Sequence, residues 1–327
     1  MFSHLSLLCV LSLSMTSLLF SVEAKNSEIK GSVIKTIVHQ QGASGVSLYQ
    51  SYDWVVDGTF TQGVEGPAVD QNGVLYAVNY QQEGTVGAVH GKNNVKLILK
   101  LKNGSIGNGI RFDKQGNMYI ADYVNHNILK VAFADLNDYQ KTAPEVIVHA
   151  HSPLMNQPND IAIASNGTIF ASDPNWGENN GQLWRISSDG DVKLLEKNMG
   201  TTNGVEVSPN NKILYVNESV QRNIWRYDLT SQGEIKNKKL LIHFDDFGLD
   251  GMRTDKQGNL YIARYGKGVV AIVSPQGKLL REIKLKGSYP TNVAFGGKQG
   301  NQVFVTMQKR GAIETFLSEY AGRSFTE

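Results

Sequence analysis

The chain has 327 residues, 41% hydrophobic and 19% charged, the make-up of a globular protein with room for one large β domain or two smaller ones. A formal net charge of +2 argues against bulk electrostatic binding of nucleic acid, and no nucleic-acid partner is expected. The lysine clusters at 235–241 and 281–287 are short and broken by apolar residues, as on solvated outer strands.

Residues 1–24 differ in kind from the rest. "LSLLCVLSLSMTSLLF" is apolar but studded with Ser and Thr, and Val22 and Ala24 supply the small residues of a signal-peptidase site before Lys25. This predicts a cleaved export signal over 1–24, a mature chain of 25–327 in the periplasm or outside the cell, and no stable membrane insertion after cleavage. The segment is shorter than the roughly 20 apolar residues of a membrane span, although its amino end lacks Lys or Arg, which leaves an uncleaved anchor as the alternative. Cys9, the one cysteine, falls inside the signal, so the mature chain draws its stability from core size or bound metal rather than disulfides.

Further along, one pattern repeats. "EGPAVDQNGVLYAVNY" (65–80) aligns with "NGIRFDKQGNMYIADY" (108–123), "NDIAIASNGTIFASDP" (159–174), "NGVEVSPNNKILYVNES" (203–219) and "DGMRTDKQGNLYIARY" (250–265), and a degenerate sixth copy begins at Thr291. Each runs from a polar residue through alternating apolar positions to a Gly- or Asn-centred turn and a Tyr- or Phe-bearing strand. Alternation such as Ile110, Phe112 and Val205, Val207 has the period of a strand, and Asp113–Gly116 and Asp255–Gly258 read as hairpin turns. The copies recur every 41 to 51 residues, enough for four strands each. The fold expected is all-β, a single six-bladed propeller over 25–327 with four antiparallel strands per blade. Only one strand-like run follows the sixth copy, so an N-terminal strand from 31–60 is expected to complete the last blade.

In a propeller the first strand of every blade lines the central channel, so equivalent positions form a ring: Glu65, Asn108, Asn159, Asn203, Asp250 and Thr291. Two carboxylates buried together without a cation are costly, because each resists desolvation and each repels the other. Carboxylates with amide oxygens, and no His or Cys, suit Ca²⁺ better than Zn²⁺ or the stricter octahedron of Mg²⁺. The bland alternative is that the Asn side chains satisfy backbone groups at strand starts.

With "EGPAVD", "PND", "TNGVEVSP" and "DGM" in this order, the chain resembles the senescence-marker-protein, gluconolactonase and luciferin-regenerating-enzyme family of six-bladed calcium propellers, which includes sugar lactonases and has diisopropyl fluorophosphatase as a relative. The resemblance implies one catalytic divalent metal, most suitably Ca²⁺, on Glu65, Asn159, Asn203 and Asp250. It gives Asp250 the part of base, with nucleophile as the alternative, in opening a small lactone or related ester. Asn108 is placed near substrate or metal. Strands that return to the mouth end at Tyr80, Asp122-Tyr123, Asp173 to Trp176, Asn217-Glu218, Arg264-Tyr265 and Gln308. Of these Tyr123, Trp176, Glu218 and Arg264 are the expected contacts to a small-molecule substrate.

The chain departs from the family in three places: Gln157 stands where sugar lactonases tend to carry arginine, Gln308 where the phosphotriesterase relative has a channel histidine, and Arg253 close to where a second channel metal would lie. Sugar-acid lactones are therefore in doubt as substrates, and one metal is expected rather than two. Two rival readings remain: a non-catalytic calcium-stabilised binding protein, and an NHL-like scaffold, which "GNMYIADYVNHNILKV" also resembles. Asn103, Asn166 and Asn217 head glycosylation sequons of use only in a eukaryotic secretory route. Substrate identity and oligomeric state have no signal in the sequence.

Overall fold

The computed structural model describes residues 47–323; the expected signal over 1–24 lies outside them. Among the described residues, twenty-four strands form six four-stranded antiparallel sheets, five of them with their strands in chain order from the axis outward. The first blade runs Phe60–Val69, Leu75–Tyr80, Thr85–Val89 and Val95–Lys100, and the next four follow the same plan. In the sixth, Pro290–Gly296, Gln302–Met307 and Ala312–Leu317 are completed by Tyr52–Val55, which pairs antiparallel with Ala312–Leu317. The N-terminal closing strand expected from 31–60 is thus present, and it leaves the ring without an open seam. The helical exceptions are one turn of α-helix at Phe133–Asn137 and a 3-10 turn at Gln308–Arg310.

Alternating residues explain why this sequence makes a ring of blades. Successive side chains on a strand point to opposite faces, and here both faces are covered. Ile120 packs with Val78, Val86 and Ile98 of the first blade, whereas its neighbours Tyr119 and Ala121 pack with Ile161, Ile169 and Trp184 of the third. Six such apolar clusters each straddle two adjacent blades, and the circle closes where Val64 and Leu75 meet Val55, Phe304 and Ile313. The core therefore lies between the blades, and the axis is left for polar groups.

The hairpin turns are set by the Asp-x-x-Gly stretches. Asp113 Oδ1 accepts the backbone N–H groups of Gln115 and Asn117, each at 2.9 Å, while Gly116 takes φ +83°, a conformation that suits a residue without Cβ. Asp255 repeats the arrangement with Gln257 and Asn259. Outer strands such as Ile235–His243 carry their lysines in solvent, as their composition implied. Asn103 and Asn166 are exposed, but Asn217 is fully buried, which removes it as a glycosylation acceptor.

Candidate functional site

The six ring residues come together, as the repeat frame required: Glu65, Asn108, Asn159, Asn203, Asp250 and Thr291 all line one pocket of about 450 Å³ at the mouth of the channel. A local device aims them. In blades one, two, four and six the pairing between first and second strands slips at the ring position, between Glu65 and Ala68, Gly107 and Ile110, Thr202 and Val205, and Pro290 and Val293. Such bulges bend a strand and re-aim its side chains, here at the head of four of the six inner strands.

The residue after the ring position completes the device. Gly66, with φ +59°, brings its backbone so near the second blade that a Cβ would stand 2.0 Å from the Asn108 carbonyl oxygen. At Gly109, Gly204 and Gly251 a Cβ would stand 2.8, 2.5 and 1.9 Å from Asp160, Asp250 and Asn292 of the neighbouring blade. Hydrogen bonds then bind the head of one inner strand to the next: Gly109 N–H to Asn159 O at 2.8 Å, Gly251 N–H to Thr291 O at 2.7 Å, and Thr291 Oγ1 to Val64 O at 3.1 Å.

Electrostatics at the pocket floor are unbalanced. Burial, then the charge of Asp160, pushes the Glu65 carboxyl up to about 7. Burial, then Glu65, pushes Asp250 well above the usual carboxylate range. Glu65 Oε2 accepts from the Gly66 N–H and from Asn292 Nδ2, the latter at 3.2 Å. Asp250 Oδ1 accepts the Gly251 N–H at 3.0 Å, and the Asn203 side chain also bonds to this carboxylate. Of five buried side-chain oxygens without a partner among the described residues, three belong to the ring, Glu65 Oε1, Asn159 Oδ1 and Asn203 Oδ1; the other two are Gln182 Oε1 and Asn217 Oδ1. Orphaned acceptors of this kind are rare, and a group of them points to a missing ion. Among the described residues no three carboxylate, imidazole or thiol groups converge to hold a metal, here or elsewhere, so an ion at this site would rest on two carboxylates and amide oxygens. The donor set of two carboxylates and two amides fits a hard, oxygen-loving divalent cation, which would relieve the repulsion that raises both carboxyls.

Deeper in the channel the positive charge comes from the chain itself. Asp160 Oδ1 lies 3.1 Å from Arg111 Nη1, and its Oδ2 lies 3.5 Å from Arg253 Nη1. Arg253 Nη1 also donates to Asn292 Oδ1 at 3.0 Å, so a continuous chain of contacts runs Arg111, Asp160, Arg253, Asn292, Glu65. Burial and the neighbouring Arg111 push the Arg253 guanidinium down to about 10, which still leaves it charged at neutral pH. Asp160 and Asn292 occupy, in blades three and six, the position that is Gly66, Gly109, Gly204 and Gly251 in the others. That substitution within the repeat marks them in the sequence, but only the structure shows what they hold.

Around the mouth, Tyr123 and Trp176 line the pocket as expected, joined by Tyr265 and Gln308. The Tyr123 hydroxyl is held by the side chains of Trp176 and Gln157. Glu218 and Arg264 stand elsewhere. Glu218 is buried and accepts the Gly200 N–H at 3.0 Å and Asn223 Nδ2 at 3.1 Å. Arg264 is fully buried, stacks on Phe244 and bonds Asp246 at 2.7 Å. The cause is register: Glu218 and Arg264 point between blades, as Asp122 and Asp173 do, and their neighbours Ser219 and Tyr265 face the pocket one residue later. A larger groove of about 740 Å³ between blades three and four, lined by Asn166, Lys212, Arg226 and Asp228, lacks any comparable pair of carboxylates.

Comparison with known proteins bears on the fold and the family. The chain is 29% identical over 220 residues to a gluconolactonase of Zymomonas mobilis, an alignment covering 61% of this chain and 60% of that protein. It is 24% identical over 291 residues to the diisopropyl-fluorophosphatase of Loligo vulgaris, covering 80% and 90%. Among solved structures, a calcium-binding regucalcin of Agrobacterium tumefaciens superposes with a TM-score of 0.70 at 18% identity, covering 83% of this chain and 95% of that one, a likeness of fold. Residues 63–309, the ring and most of the pocket wall included, match the SMP-30/Gluconolactonase/LRE-like region, and the chain belongs to that family.

Proposed function

We propose that this protein is a calcium-dependent hydrolase that opens a small lactone or related ester, with Glu65, Asn159, Asn203 and Asp250 as the ligands of one ion. The reading is carried by the unpartnered oxygens of Glu65, Asn159 and Asn203 beside Asp250 on the floor of a pocket. When bound, the ion supplies Lewis-acid polarisation of the scissile carbonyl and stabilises developing negative charge.

The remaining work falls to the chain. Asp250, its Oδ1 steadied by the Gly251 N–H, takes on Oδ2 the proton of the attacking water as that water's oxygen bonds to the carbonyl carbon. As the ring C–O bond breaks, Asp250 returns the proton to the departing oxygen, and the product is a hydroxy acid. Glu65, pinned by Gly66 and Asn292, is a fixed ligand rather than a proton carrier. Arg253 and Arg111, charged and buried below, repel a second cation, so one ion is proposed and not two. Trp176 and Tyr123 wall the substrate.

The direct test is hydrolysis of a lactone panel with EDTA and after calcium is restored. Activity that vanishes and returns supports the reading; turnover indifferent to chelation refutes it. Loss of stability on chelation without turnover of any lactone would favour the calcium-stabilised binding protein. The same proposal includes export of the mature chain 25–327, on the strength of residues 1–24. Amino-terminal sequencing of secreted material beginning at Lys25 would support it.

A further inference from the structure

The pocket wall has a chemical bias that the metal site does not explain. Among the described residues lining it there is no Lys, Arg or His. The cations nearest in the chain are engaged: Lys267 lies 3.2 Å from Asp246 and 3.0 Å from Glu282, Arg264 is buried against Asp246, and Lys309 sits over the Tyr289 ring. A substrate bearing a carboxylate, sulfonate or phosphate away from its reacting carbonyl would meet no counter-charge here, and it would meet the Glu83 carboxylate.

Most polar groups of the wall are also spoken for within the protein. Asn79 donates to Gly63 O at 2.6 Å and accepts the Gly84 N–H at 3.1 Å. Asn108 Nδ2 donates to Asn159 O at 3.1 Å, and the Thr291 hydroxyl bonds Thr306 Oγ1 at 2.7 Å. Gln308 Oε1 accepts the Tyr265 hydroxyl at 2.6 Å. A ring carrying several hydroxyls would have to give up its hydration for few new partners, a net cost.

Apolar side chains also reach the pocket surface. Ile106, Tyr123, Val124, Trp176 and Tyr265 line it and are partly or well exposed, whereas Val64 behind them is fully buried. Trp176 and Val124 are 40% and 43% exposed, and Val220 and Phe247, each within two residues of a pocket-lining residue or packed against its neighbour, are 54% and 50% exposed. Single exposed apolar residues need no explanation, but several on the loops at the mouth of one concave site mark a binding surface.

Resting on the lactonase reading, we infer that the substrate is an uncharged lactone or ester whose ring carries an apolar substituent, an alkyl, acyl or aryl group seated against Trp176, rather than a polyhydroxylated or anionic sugar lactone.

The test is a series of γ-lactones with side chains from none to eight carbons, run beside glucono-1,5-lactone on the calcium-loaded protein. The inference expects kcat/KM to rise about twofold or more for each of the first several methylenes, carried by a falling KM, because each buried methylene is worth up to about fourfold. Gluconolactone is expected to fall at least about 100-fold below the best alkyl lactone. In Trp176→Ala the KM for the longest lactone should rise about tenfold more than that for the unsubstituted ring, with thermal stability measured alongside to separate a binding defect from unfolding. A flat dependence on chain length, or gluconolactone as the better substrate, overturns the inference while leaving the lactonase reading intact. If no lactone is turned over, the lactonase reading fails, and calorimetry with inert 5-alkyl-2-pyrrolidinones decides the ligand class separately. Affinity rising with chain length supports it, and absence of binding overturns it.

Discussion

Replacing Glu65 by Gln separates the charge of this residue from its shape, and the consequence can be worked from its surroundings. In chelated protein, burial and Asp160 hold the folded-state carboxyl at about 7 against an ordinary value of 4.5. A carboxyl raised on folding binds more protons in the native state, so its contribution is fully present below about pH 4.5 and is lost as pH rises through about 7. At about 1.4 kcal/mol per pH unit, that gap is worth on the order of 3 kcal/mol. For a body of this size the loss corresponds to a fall in Tm of about 6 °C between pH 5 and pH 8 in EDTA. Asp250, raised by burial and by Glu65, acts in the same direction. Calcium at pH 8 should restore the lost stability in the wild type, since a cation favours both charged forms. Differential scanning calorimetry across this range, with EDTA and with calcium, is the assay. Glu65→Gln should flatten the EDTA profile and abolish most of the calcium response. A wild-type Tm independent of pH in EDTA, or a mutant that keeps the full calcium shift, would refute the reasoning.

Three further outcomes follow from the site. Asp250→Asn should lower kcat by about 10²- to 10⁴-fold, the usual worth of a general base, with the circular dichroism spectrum unchanged; hydrolysis near the wild-type rate would remove Asp250 from that role. Asn292→Ala frees Glu65 Oε2 and Arg253 Nη1 of a shared partner, and calcium affinity by calorimetry should drop about 10- to 100-fold, as when a group that orients a metal ligand is lost. Gly66→Ala puts a Cβ 2.0 Å from the Asn108 carbonyl oxygen at φ +59°. The cost should exceed about 4 kcal/mol, among the largest for single substitutions, and appear as low soluble yield or a Tm depressed by several degrees; a wild-type Tm would show that the blades are not held that close.

Much of the architecture was legible because it is repeated. Alternation of apolar residues gives strands locally, and six copies at near-constant spacing leave few arrangements other than blades around an axis, so the ring from Glu65 to Thr291 follows from alignment alone. Glu218 and Arg264 were misplaced for a reason equally simple. Counting strand ends locates the mouth but not which of two successive side chains turns into it, and Ser219 and Tyr265 have that orientation. The contact chain from Arg111 through Asp160, Arg253 and Asn292 to Glu65 joins residues 46 to 227 positions away from Glu65, a pairing that no local pattern encodes. Its trace in the sequence is a break in the repeat, Asp160 and Asn292 where four other copies have Gly. Glycine there reads as a turn residue in one chain segment; its spatial reason, the approach of the next blade, lies in the assembled ring.

The central claim is that the partnerless oxygens of the ring hold one divalent cation. The most direct measurement is a crystal structure of the calcium-loaded protein with anomalous scattering to identify the ion. The account predicts a single ion within about 2.3 to 2.6 Å of Glu65 Oε1, Asn159 Oδ1, Asn203 Oδ1 and a carboxylate oxygen of Asp250. An ion bound elsewhere, or water alone among these four side chains at saturating calcium, would contradict it.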